Sequence, residues 1–84
     1  MRWSVFILPQ AAVQIAKLDK PISKRVSRAI SALAENPRPS GCKKLVGIDA
    51  WRIRIGDWRV IYQIQDERLV VLVIRVGHRR DVYD

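Results

Sequence analysis

The stretch Trp51–Gln63, W-R-I-R-I-G-D-W-R-V-I-Y-Q, decides the fold of this chain. Apolar residues occupy every second position on both sides of Gly56-Asp57, which predicts two strands that each bury one face. A Gly-Asp pair between two such runs is a typical two-residue hairpin turn. With that turn, Arg54 stands directly opposite Arg59, and Arg52 lies two positions away on the same face. The other face is predicted to pack in the core and carries Trp51, Ile53, Ile55, Trp58, Val60 and Tyr62.

One strand and two helices are predicted before the hairpin. The stretch Trp3–Leu8 is rich in β-forming residues and predicts the first strand. Pro9 then opens a helix that runs to about Leu18. The residues expected to face inward are Val13, Ala16 and Leu18. Pro21 opens a second helix, which Asn36-Pro37 ends because the residue before a proline is pushed out of the helical region. Its apolar face is Ile22, Val26, Ile30 and Leu33.

A loop and one more strand complete the predicted elements. Residues 36–50 form a connecting loop with a brief extended piece at 44–46. After the hairpin, a second turn near Asp66-Glu67 leads to Leu69–Val76, which is apolar at nearly every position. Such a run predicts a central strand buried on both faces.

The order of these elements, β-α-α-β-β-β, predicts an α+β fold with one domain over residues 1–84. Two N-terminal helices pack on one face of a small antiparallel sheet. The second turn would place Arg59 opposite Ile74, and the last strand would leave the sheet at Val76. On the outer face, Ile61 and Val70 are expected to be exposed and to leave room for a partner.

Composition excludes several classes of protein. The chain has 84 residues, is 49% hydrophobic and carries a net charge of +8, so a small globular domain with an affinity for polyanions is expected. A single cysteine, Cys42, excludes an internal disulfide framework. With one histidine and scattered acids, no metal site and no cofactor are expected. The longest apolar run, Leu69–Ile74, is too short for a membrane span, which needs about 20 residues. These features predict a cytoplasmic protein that has no membrane partner.

The arginines of the hairpin point to an anionic ligand. Like charges directly across a strand pair destabilise it by up to about 1 kcal/mol, and a bound phosphate would remove that repulsion. The last strand leads to the same edge, where Gly77 permits a change of direction and the tail delivers His78, Arg79, Arg80 and Tyr83. Phosphodiester cleavage needs positive charge and a proton carrier. Arginine cannot act as a base, so that task falls to His78 or Tyr83.

Three stretches resemble the RelE family of bacterial and archaeal toxins, which share a microbial-RNase-like fold. They are Trp51–Ile55, Trp58–Gln63 and the ending V-G-H-R-R-D-V-Y at residues 76–83. The resemblance implies a small ribosome-dependent endoribonuclease that enters the ribosomal A site, cuts mRNA and inhibits translation. It also implies a cognate RelB-like antitoxin that neutralises the toxin, and contact with DNA only through the toxin–antitoxin complex at its promoter.

The family's basic-plus-tyrosine active site falls on Arg52, Arg54, Arg59, Arg79 and Tyr83. Many members have lysines at the positions of Arg52 and Arg54, and one such lysine has been assigned proton abstraction. Arginine clamps a phosphate bidentately but does not accept a proton. The hypothesis is therefore that Arg52, Arg54 and Arg59 hold the scissile phosphate, with Arg80 as a further phosphate contact. Arg79 would stabilise developing charge, and Tyr83 or His78 would move protons during metal-independent attack by the 2′-OH.

Other functions remain open from the sequence. Lys17, Lys20, Lys24 and Arg28 are candidates for contact with ribosomal RNA, or they form an ordinary solvated helix face. The alternative activities are a ParE-like toxin that poisons DNA gyrase, a non-catalytic nucleic-acid-binding module, and a toxin inactivated by its lysine-to-arginine changes.

Overall fold

A computed structural model of the chain describes residues 2–78. Its helices and strands are β1 (Ser4–Ile7), α1 (Pro9–Ala16), α2 (Lys20–Ala32), β2 (Lys43–Lys44), β3 (Trp51–Ile55), β4 (Trp58–Gln65) and β5 (Val70–His78). A 3-10 turn, Asp66–Arg68, joins β4 to β5. The five strands form one sheet in the order β1-β5-β4-β3-β2, and the helices lie on one face of it. The predicted α+β class is therefore confirmed.

The sheet is mixed rather than wholly antiparallel, which corrects the prediction in one respect. β1 runs parallel to β5, with Ser4 beside Val70 and Ile7 beside Val73. The remaining strand pairs, from β2 to β5, are antiparallel. A parallel neighbour requires a long connection, and here the two helices and the hairpin lie between β1 and β5. Strand propensity along the chain carries no information about such a pairing.

The β3–β4 hairpin has the register predicted from its two-residue turn. Arg54 is the cross-strand partner of Arg59, and Ile53 is the partner of Val60. Gly56 has a φ of +61°, a left-handed conformation that glycine adopts without steric cost. The turn thus fixes which residues of the hairpin face the helices and which face away from them.

The predicted register between β4 and β5 is wrong. Arg59 lies opposite Gly77 rather than Ile74, and β5 continues to His78, beyond the predicted exit at Val76. Two features cause the slip. The connection takes four residues, Asp66 to Leu69, and ends on Leu69 with a φ of +53°. A bulge between Ile61 and Tyr62 then adds one more residue to the β5 side.

Both helices bury an apolar stripe, although the stripe of α1 differs from the prediction. In α2, Val26 and Ile30 are buried as expected. In α1, which ends at Ala16 rather than Leu18, Ala11 is buried and Ile15 is half-buried, whereas Val13 is 53% exposed. The predicted inward positions Val13 and Ala16 are therefore wrong, and only Leu18 packs against the core.

Two glutamines of α1 explain why a different side of this helix faces the sheet. Gln10 Nε2 donates to the Ile74 carbonyl at 2.9 Å, and Gln14 Oε1 accepts from the Val76 N–H at 2.7 Å. β1 ends beside Val73, so this part of β5 has no strand on its α1 side. The glutamine amides satisfy its backbone groups, and they turn their own side of the helix toward the sheet.

Two apolar clusters hold the sheet. The main core lies between the helices and the sheet, with Val26, Leu33, Val60, Tyr62, Val71 and Val73 fully buried. A second cluster on the other face joins Leu45, Ala50 and Ile61. Ile61 is consequently buried and Val70 half-buried, so the expectation that both are exposed is wrong for Ile61. A helix with the length and apolar character needed to span a bilayer does not occur among residues 2–78.

Candidate nucleic-acid interface

The outer face of the sheet carries a group of arginines that we call the arginine face: Arg52, Arg54, Arg59 and Arg75. Arg54 and Arg59 are direct cross-strand partners. Arg75 lies opposite Ile61, and since side chains alternate along a strand it shares the face of Arg59. Sequence reasoning missed Arg75 because it assumed a different register. The sequence did offer one indication, because Arg75 is the single charged residue in an otherwise apolar strand.

Arg52 is the most enclosed member of the arginine face. It is 7% exposed, between β2, where Lys43 is its partner, and β4. Burial lowers the pKa of the Arg52 guanidinium below its usual value, and the nearby charges of Arg59 and Arg54 lower it further. Such a shift means that the surroundings disfavour this positive charge, and an anion bound at the arginine face would reverse that effect.

His78 lies at the same end of the sheet but on the opposite face. It is the partner of Trp58 beside the hairpin turn, and the two rings meet edge to face with centroids 5.4 Å apart. Trp58 packs against the main core. The predicted position of His78 at the hairpin end is confirmed, although the residue belongs to β5 and not to a tail that follows the strand. The ring, however, belongs to the helix side of the sheet, whereas Arg54 and Arg59 stand on the outer side.

The tail residues Arg79, Arg80 and Tyr83 lie outside the described residues. Their predicted roles in charge stabilisation, phosphate contact and proton transfer stay predictions. The direction of the chain at His78 is nevertheless known, because Gly77 is the partner of Arg59. β5 therefore ends one residue pair beyond Arg59.

The basic side chains of the helical layer are exposed, as expected both for contact with ribosomal RNA and for an ordinary solvated helix face. They are Lys17, Lys20, Lys24 and Arg28. Lys17 and Leu18 line a cavity together with Trp58 and His78, which places the α1–α2 connection at the hairpin end. Arg25 was not singled out from the sequence. Its guanidinium nitrogens approach within 3.8 Å of the position that a side chain on Gly56 would take.

The ion pairs recorded for residues 2–78 lie away from the hairpin end. Arg2 pairs with Glu35 at 3.3 Å, and Arg38 pairs with Asp66 at 2.9 Å beside the β4–β5 turn. The hydrogen bond with Arg38 holds the pKa of Asp66 below its usual value. The third pair, between Lys44 and Asp49, spans the loop before β3. Three of the six acids in residues 2–78 are thus paired away from the hairpin end, and the acid in the hairpin turn itself is Asp57.

Several other candidate residues have structural roles. Trp51 and Trp58 pack against the main core, as predicted. Tyr62 is fully buried, its hydroxyl donates to the Pro37 carbonyl at 2.8 Å, and burial raises its pKa. Within residues 2–78 there is no group of three or more His, Cys, Asp or Glu side chains arranged to hold a metal ion.

The chain matches a known class of toxin. Residues 5–83 match the family described as ParE toxin of type II toxin–antitoxin system, parDE. A RelE-like toxin protein of Escherichia coli is 36% identical to the chain, with 100% of the chain and 93% of that relative aligned. The chain therefore belongs to the RelE/ParE family of toxins from type II toxin–antitoxin systems, which confirms the resemblance drawn from the sequence.

Two further relatives carry the RelE name. The mRNA interferase toxin RelE of Escherichia coli K12 is 33% identical over 75% of this chain and 68% of its own length. Among solved structures, the archaeal RelE–RelB complex of Pyrococcus horikoshii includes a chain that superimposes with a TM-score of 0.85 at 27% identity, covering 98% of this chain and 100% of that one. The structural similarity to the archaeal chain extends over both the helices and the sheet.

Proposed function

We propose that this RelE-like toxin is an mRNA endoribonuclease that acts in the ribosomal A site and thereby inhibits translation. The observation that carries the proposal is the arginine face, where Arg54 and Arg59 stand side by side across two strands. Repulsion between them is a cost to the folded chain that a bound phosphodiester removes. A relative that is named an mRNA interferase supports RNA as the substrate.

The arginine face supplies binding and charge in this reaction. Arg52, Arg54 and Arg59 hold the scissile phosphate, and their guanidinium groups neutralise the negative charge that grows on its non-bridging oxygens as the 2′-oxygen attacks. The new bond joins the 2′-oxygen to phosphorus, and the bond from phosphorus to the 5′-oxygen breaks. The products are a 2′,3′-cyclic phosphate, or the 3′-phosphate after hydrolysis, and a 5′-hydroxyl.

Proton transfer requires residues other than the arginines of this face. One proton leaves the 2′-hydroxyl and one is added to the departing 5′-oxygen. The candidates are Tyr83 and His78, with Arg79 and Arg80 adding charge near the phosphate. Of these, His78 stands beside Trp58 on the helix side, so we favour Tyr83 as the proton carrier. Full cleavage by both Tyr83→Phe and His78→Ala would contradict this assignment.

The partners follow from the same proposal. A RelB-like antitoxin neutralises the toxin, DNA is contacted only through the complex of the two at its promoter, and the protein acts in the cytoplasm. Two of the solved RelE relatives, from Escherichia coli and Pyrococcus horikoshii, are complexes with RelB proteins, which supports an antitoxin of that kind. On the ribosome, exposed Lys17, Lys20, Lys24 and Arg28 would contact ribosomal RNA.

The decisive experiment compares purified protein on free mRNA and on programmed ribosomes, with cut sites mapped and end groups identified. We expect cleavage only on the ribosome, within the A-site codon, with 5′-hydroxyl ends. Cleavage of free mRNA to the same extent would contradict the ribosome requirement. Binding without cleavage in either setting would identify a nucleic-acid-binding module or an inactive toxin.

A second candidate function is poisoning of DNA gyrase. The match of residues 5–83 to the ParE family favours it. The arginine face argues against it, since the resemblance places this basic set in the nuclease branch of the family. A supercoiling assay separates the two: inhibition of gyrase, with no cleavage of mRNA on ribosomes, would replace the ribonuclease proposal.

A further inference from the structure

A cavity of about 230 Å³ opens on the helix side of the hairpin end. Gln14, Lys17 and Leu18 form one wall, and Trp58, Val76, Gly77 and His78 are among the residues of the other. Leu18 and Trp58 supply apolar surface that continues into the main core. A space of this size admits one planar ring system, and it is too small for a helix.

Gln14 and Val76, which both line the cavity, each carry a hydrogen-bond donor and an acceptor. Gln14 Oε1 accepts from the Val76 N–H, so the Gln14 amide nitrogen faces away from that bond. The N–H and C=O of one strand residue point to the same edge, which turns the Val76 carbonyl toward the cavity as well. Every nucleobase carries a donor next to an acceptor on its Watson–Crick edge, and sequence-specific RNA recognition uses such edges on splayed bases.

The location connects this cavity to the arginine face. Gly77 and His78 in its wall are partners of Arg59 and Trp58, so the cavity opens at the same end of the sheet as Arg59 but on the opposite face. An RNA strand held at the arginine face would reach it by passing around the hairpin end. Lys17 at its rim adds a positive charge for a neighbouring phosphate. We infer that this cavity binds one nucleobase of the RNA whose backbone lies on the arginine face, and that it determines a preference for the nucleotide flanking the cut. The inference rests on the proposed function.

The test uses ¹⁵N-labelled protein and a 2′-O-methyl RNA hexamer, which cannot undergo attack by the 2′-OH. A series of hexamers with a single abasic position moved along the strand serves as the probe. We expect the intact hexamer to shift the side-chain amide of Gln14, the indole N–H of Trp58 and the guanidinium resonances of Arg54. One abasic position should abolish the Gln14 and Trp58 shifts, retain those of Arg54 and weaken binding by about tenfold.

A matched pair of variants adds a second line of evidence. Leu18→Trp fills the cavity and should remove the Gln14 shift, whereas Val13→Trp adds the same group at an exposed position outside it and should retain the shift. Gln14 and Trp58 shifts that are absent, or unchanged by every abasic position, would overturn the inference. So would a response to an extended peptide with none to the hexamer. The Arg54 resonances report separately whether the proposed RNA binding itself fails.

Discussion

Arginine at position 54 illustrates how a residue that weakens the fold indicates function. Its side chain is exposed and its cross-strand partner is Arg59, so each guanidinium raises the energy of the other. Selection for stability alone favours an uncharged β-former at this position. The arginine is explained if the pair is kept for a ligand of opposite charge.

Replacing Arg54 by an uncharged residue should raise the stability of the protein and lower its activity. We expect Arg54→Thr to raise the free energy of unfolding by about 0.5 kcal/mol at low ionic strength and to lower cleavage roughly a hundredfold. Arg54→Lys keeps the charge and should leave stability unchanged. Urea denaturation of the three proteins at low and high salt measures the effect, and a gain that persists in high salt would show that repulsion is not its cause.

For the buried Tyr62 we expect a substitution to lower stability and to leave activity unchanged. Tyr62→Phe removes the hydroxyl that donates to the Pro37 carbonyl, which should cost about 1 kcal/mol of stability because a buried acceptor loses its partner. Cleavage on ribosomes should stay at the level of the unchanged protein, since Tyr62 lies in the main core. A large loss of activity at unchanged stability would mean that this tyrosine, and not Tyr83 alone, serves the reaction.

At the level of elements, the β3–β4 hairpin is the part that positions the site. Its two-residue turn sets the register, and the register places Arg54 beside Arg59. The β4–β5 connection contributes differently, because its longer turn and bulge bring Gly77 opposite Arg59.

The hairpin turn can be tested at Gly56. Gly56→Ala should cost about 1–2 kcal/mol, because an L side chain at a φ of +61° is strained. Space is not the reason, since the added atom would meet only the end of the Arg25 side chain at 3.8 Å. Asparagine tolerates this conformation, so Gly56→Asn should lose much less. Thermal or urea unfolding of both variants measures this, and equal losses would contradict the explanation.

The whole molecule has an uneven distribution of charge. The hairpin end combines the arginine face with Lys17 and Arg25 of the helical layer. Near the opposite end, Arg2 and Arg38 are paired with acids. A field of this kind attracts and orients a polyanion, which matches the net charge of +8.

Charge reversals at the two ends should therefore have unequal effects on ribosome association. Lys20→Glu with Arg25→Glu at the hairpin end should weaken association by about tenfold at low salt. Arg2→Glu with Arg68→Glu makes the same change in net charge and should weaken it much less. Sedimentation of each double variant with ribosomes over a salt series provides the measurement. Equal weakening would mean that net charge alone attracts the ribosome.

The sequence by itself determined the hairpin, the pairing of Arg54 with Arg59, and the buried face of α2. Each of these depends on a local rule: a two-residue turn fixes a register, and a helical period fixes a stripe. The same information supported membership of the toxin family, because the motifs lie in these segments.

Tertiary structure alone decided the remaining features of the candidate site. A strand that is apolar at nearly every position contains no signal for its register. The turn and the bulge therefore decided which residue pairs with Arg59, which face carries Arg75 and on which side His78 lies. Burial of Arg52 and Ile61 depends on β2 and on the loop before β3. The inward face of α1 was set by β5 backbone groups that required the amides of Gln10 and Gln14. These are long-range contacts, and their energies depend on residues far apart in the chain.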